Sequence, residues 1–107
     1  MSRIDDILET IKAGIIQVSK EKAIDFIKQA ESDGNAFLES IKDDLKEWSK
    51  QLMDGDLSKE DFEFLVRGKR DLATMNALTQ AGYAEIKIDQ IRTSIIDLIV
   101  NAVRGAL

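Results

Sequence analysis

At 107 residues, with a net charge of −5 and a pI near 4.7, the chain is acidic enough to repel phosphate backbones, so no nucleic-acid partner is expected. It holds no histidine and no cysteine, which removes the commonest general base, the commonest transition-metal ligand, the thiolate nucleophile and any disulfide. Proline is absent too, and 44% hydrophobic with 33% charged residues describes a single globular domain, 1–107, that is nearly all helix.

The first helix is expected over residues 3–31. Ser2 is placed to cap it, and Asp5, Asp6 and Glu9 favour the positive end of its dipole. Ile4, Ile7, Leu8, Ile11, Ile15 and Val18 recur at three- and four-residue steps, the mark of an amphipathic helix. Gly14 interrupts it at a cost of about 1 kcal/mol relative to alanine. Drift explains it more simply than a close helix crossing. These first residues lack the basic-then-apolar layout of a secretory signal, and a cytoplasmic location is expected.

Ser32-Asp33-Gly34-Asn35 places four turn-favouring residues in a row, so a break or a weak point is expected near Gly34. A helix over 36–53 follows. Phe37, Leu38, Ile41, Leu45, Trp48 and Leu52 form its apolar face. Glu39, Asp43 and Glu47 each precede a lysine by three residues on a solvated face. Asp54-Gly55-Asp56-Leu57 is the clearest turn, and Ser58 caps the next helix. The spacing of Asp54, Asp56, Ser58 and Glu60 brushes against a calcium loop. That loop fails, with Lys59 where glycine belongs and Leu65 where the closing glutamate belongs.

A third helix is expected over 59–81, with Phe62, Leu65, Val66, Leu72 and Met75 on its seam. Arg67, Lys69 and Arg70 form the only basic knot. They are candidate contacts for an anion or an acidic partner, against the plainer reading of local pairing with Glu63 and Asp71. A second bend is expected near Gly82, beside Tyr83. The last helix, 84–104, carries a stripe of Ile88, Ile91, Ile95, Ile99 and Val103, widened by Ile96 and Leu98. A helix this apolar around its girth wants cover on more than one side. These seven residues are therefore the candidate self-association interface. On the polar face Lys87, Arg92 and Arg104 are balanced by Glu85, Asp89 and Asp97, which speaks against anionic lipid.

The fold expected is all-α: a long antiparallel helical hairpin, 2–53 against 58–103, with possible breaks near Gly34 and Gly82. Two hairpins would pair into a four-helix bundle, a homodimer. An unbroken arm of ~48 residues would reach about 70 Å. The alternative is a compact four-helix monomer. No phosphate loop, zinc spacing or nucleophile–base pair is present, so no catalytic residue, cofactor or metal is expected. The function expected is a non-enzymatic assembly or adaptor protein, working through self-association and partner-helix contacts. Its alternative is a peripheral membrane protein inserting Leu98, Ile99, Val103 and Leu107.

Overall fold

The computed structural model describes residues 3–107, and every regular element among them is helical. The Ser2 cap lies outside the described residues. Helix α1 spans Arg3–Lys22, α2 Ile27–Asp54, α3 Lys59–Arg67, α4 Asn76–Gln80 and α5 Glu85–Ala106. Single 3-10 turns, Ile24–Phe26 and Arg70–Leu72, lie between α1 and α2 and between α3 and α4.

The first bend is not where turn chemistry points. The chain leaves helical geometry at Ala23 (φ −127°, ψ 52°) and regains it after Phe26. No glycine or proline stands there, and Asp25 is a lone turn former with no glycine or asparagine beside it. Tertiary contacts hold the bend instead. Ala23 is fully buried, Phe26 packs on Tyr83 with ring centroids 4.8 Å apart, and the Tyr83 hydroxyl donates to the Lys22 carbonyl at 2.9 Å. That carbonyl is one that a helix end leaves without an intrahelical partner. The expected 3–31 helix therefore ends at Lys22.

Helix α2 runs unbroken through Ser32-Asp33-Gly34-Asn35. Gly34 is buried there for lack of a side chain. A Cβ at this position would lie 2.6 Å from Ile15 Cγ2 and 3.2 Å from Ile95 Cδ1. Three helices, α1, α2 and α5, thus converge on one missing methyl group. Gly14 does the same for α1 and α5: its Cβ would meet Leu98 Cδ1 at 2.5 Å. Close crossing, not drift, accounts for both glycines.

The second half follows the turn signals more closely. Gly55 closes α2 in the left-handed region (φ 82°), and the Ser58 hydroxyl accepts the Asp61 N–H at 3.0 Å. The expected 59–81 helix divides, however. It stops at Arg67, passes through the 3-10 turn and restarts at Asn76 after Met75, which is buried in a left-handed conformation (φ 56°, ψ 43°). Met75 offers no side-chain cap. Asp33 supplies one from α2, accepting the Ala77 N–H at 2.9 Å and the Leu78 N–H at 2.8 Å. The bend at Gly82 is real, with φ 82°.

Helix α1 packs against both α2 and α5, α3 covers another side of α5, and α4 lies on α2. Trp48 of α2 meets Phe62 of α3 edge-on at 6.4 Å. The longest dimension is 43 Å, about the length of the 28-residue α2 at 1.5 Å per residue. The ~70 Å arm is absent because the chain doubles back at Ala23, inside the expected first arm. The exposed area is 6198 Å², close to the roughly 6,000 Å² that size scaling gives for one compact 12 kDa chain.

Candidate interaction surface

Six of the seven residues expected to self-associate lie inside the single chain. Ile88, Ile91, Ile95, Ile96, Ile99 and Val103 are each no more than 4% exposed. Leu98 is half-buried over Gly14. The two extra bends supply the cover that the apolar girth of α5 requires, α1 on one side and α3 on another. In this fold the stripe is core and offers no surface to a second copy. The same burial removes Ile99 and Val103 from lipid contact. No described helix is long and apolar enough to cross a membrane.

The basic knot is splayed apart by its partners. Arg67 bonds Glu63 at 3.0 Å and Asp97 at 2.9 Å, Lys69 reaches Asp44 at 3.4 Å, and Arg70 meets Asp89 at 3.9 Å and the Thr93 hydroxyl at 3.1 Å. Glu63 also takes Arg104 at 2.6 Å. Hydrogen bonding from Arg67 holds the Glu63 carboxyl below its ordinary range, with Arg104 adding to the effect. Bonds from Glu63 and Asp97 raise the Arg67 value in turn. Local pairing with Glu63 is present, but the remaining charge goes to α2 and α5 rather than to Asp71.

Beside the knot, Arg70, Asp71, Ala73, Thr74 and Arg92 line a polar recess of about 270 Å³. Arg92 donates to the Ala73 carbonyl at 2.7 Å and pairs with Asp89. Two arginines there are offset by Asp71 and Asp89, so the recess carries no net attraction for an anion. Among the described residues no acidic cluster is arranged to hold a metal ion.

Six large apolar side chains are exposed among the described residues; Ile16, Met53 and Leu72 are so in part, and three others far more. Phe64 is 77% exposed, Ile24 73% and Ile86 71%. Ile24 sits on the 3-10 turn after α1, and Ile86 on the first turn of α5. The Phe26–Tyr83 contact and the Tyr83–Lys22 hydrogen bond join these two chain junctions. Lys87 stands 5.8 Å from the Tyr83 ring centroid. Ile86, Gln90 and Thr93 line a shallow recess of about 390 Å³ that Lys22 shares. Asp89 and Ser94 complete the lining, so Ile86 is its one apolar residue, and Ile24 is exposed nearby in sequence, two residues after Lys22. The sequence signal for exposure was phase: Ile86 stands off the 88–91–95–99 stripe, just as Phe64 stands off the Phe62–Val66 seam.

Comparisons with known protein families, with curated proteins and with solved structures find no match to this chain.

Proposed function

We propose that the chain is a non-enzymatic interaction module that docks an amphipathic helix of a partner protein on the Ile24–Ile86 patch. The observation that carries this reading is the exposure of two isoleucines beside the Phe26–Tyr83 pair, in a chain whose other isoleucine seams are spent on the core. Burying such a side chain is worth about 1.5–3 kcal/mol, so each of the two holds unused binding energy beside the α1–α5 junction. The recess follows α5 at positions 86, 90 and 93, the spacing at which a second helix packs alongside the first.

A photo-crosslinking residue at position 86, introduced in the native cell, tests this. A discrete adduct is expected from position 86, lost on Ile24→Asp, and none from position 50 on the charged face of α2. Adducts of equal yield from both positions, or none from position 86, would overturn the reading.

A further inference from the structure

The α1–α2 pair carries a groove that the fold does not use. Its two recesses, of about 480 and 370 Å³, share Lys12 and so run on from one another. Helical periodicity places it on the side of α1 opposite the Gly14–Leu98 crossing. Leu8 and Leu38, both buried, also line the recesses. Beside them the α1 wall reads Asp5, Glu9, Lys12, Ile16, and the α2 wall reads Asn35, Glu39, Lys42, Lys46. These wall residues step by four, three and four on both helices, the spacing of a helix-pairing seam.

The charges on these walls are ordered. The helices run antiparallel, since Ile15 lies against Gly34 while Asp5 and Glu9 share their recess with Lys42 and Lys46. At one end an acidic α1 wall therefore stands across from a basic α2 wall. At the other end Lys12 shares its recess with Glu39. Glu39, Lys42 and Lys46 enter no ion pair among the described residues, and Glu9 reaches only its neighbour Lys12, at 3.8 Å.

We infer that this groove is a homodimer face, in which a second copy docks about a two-fold axis parallel to the groove. That axis lays α1 of one copy on α2 of the other without reversing direction. Glu9 then meets Lys42 of the second copy, Lys12 meets its Glu39, and Asp5 meets its Lys46. These three charged rungs are matched in sign and each occurs twice, while the fourth sets Ile16 on Asn35. A two-fold axis across the groove would match only the inner rungs, setting Asp5 on Ile16 and Lys46 on Asn35. The face shares no residue with the Ile86 recess and does not include Ile24, so it stands or falls separately from the proposed function.

The test is solution mass by sedimentation equilibrium across a dilution series at low ionic strength, on the wild type, Glu9→Lys, Lys42→Glu and the double variant. Glu9 is exposed and Lys42 half-buried, and circular dichroism checks that each variant keeps its helix content. The wild type is expected to dimerise, and to weaken near 1 M salt, where the screening length falls to about 3 Å. Each single reversal sets like charges together twice and is expected to weaken association by about tenfold or more. The double variant restores the match in trans and is expected to recover the wild-type mass. A 12.0 kDa mass throughout would overturn the inference. So would single reversals without effect, or a double variant no better than either single one, which is the outcome required by the crosswise axis.

Discussion

The Asp33 carboxylate accepts the Leu78 N–H at 2.8 Å, and the Ala77 N–H at 2.9 Å, so a residue inside α2 caps a helix 44 positions further along the chain. The arrangement does two things together. It satisfies the donors at the start of α4, where Met75 has no side chain able to do so, and it satisfies a carboxylate that is only 7% exposed. Replacing Asp33 by alanine strands two N–H groups and is expected to cost about 2 kcal/mol. Asp33→Asn keeps an acceptor and should cost less. Urea unfolding measures both, and hydrogen exchange at the Ala77 and Leu78 amides should rise ahead of α5.

Two glycines in helices should respond to alanine with opposite signs. At Gly34 the gain in helix propensity, about 1 kcal/mol, is outweighed by overpacking against Ile15 and Ile95, which typically costs about 1–3 kcal/mol. At Gly105, near the end of α5, a Cβ meets nothing within 4 Å, and the same substitution should stabilise by up to about 1 kcal/mol. Thermal unfolding of the two variants decides this. A neutral or stabilising Gly34→Ala would mean that the three-helix crossing is looser than the structure has it.

Glu63 pairs with Arg67 within α3 and links α3 to α5 through Arg104, and its carboxyl lies below the ordinary range chiefly because of the Arg67 hydrogen bond. A carboxyl depressed on folding stabilises fully above its unfolded pKa. That contribution fades as the pH falls through the folded value. Glu63→Gln should therefore lower the unfolding midpoint most at about pH 7 and progressively less toward about pH 3. An equal difference at both ends would show that the carboxylate charge adds nothing.

Ile95 and Phe64 separate core from surface. Ile95→Ala removes a fully buried side chain at the crossing of α1, α2 and α5 and is expected to cost about 2–5 kcal/mol, with loss of cooperative unfolding in the worst case. Phe64→Ala removes a ring that is 77% exposed and should change stability by less than about 0.5 kcal/mol. Chemical denaturation of the two variants side by side gives the comparison.

Local chemistry determined much of this protein by itself. Apolar residues three and four apart placed α5, the C-terminal half of α2 and the start of α3, because an amphipathic helix has one stripe to bury whatever it packs against. Gly55 and Ser58 marked the one sharp turn, because a left-handed residue and a side-chain cap act within a few residues of themselves. The bends at Ala23 and between α3 and α4 were decided differently. Asp33 and Gly34 have the same local propensities whether they break a helix, cap a distant one or admit a neighbour. Only the position of Leu78 and Ile15 in space selects among these. Ala23 carries no break signal at all, and its bend exists because Tyr83 and Phe26 hold it. Those two bends, in turn, decided whether the isoleucines of α5 face a second copy or the chain's own core. Burial is a property of the assembled surface, which no stretch of sequence contains alone.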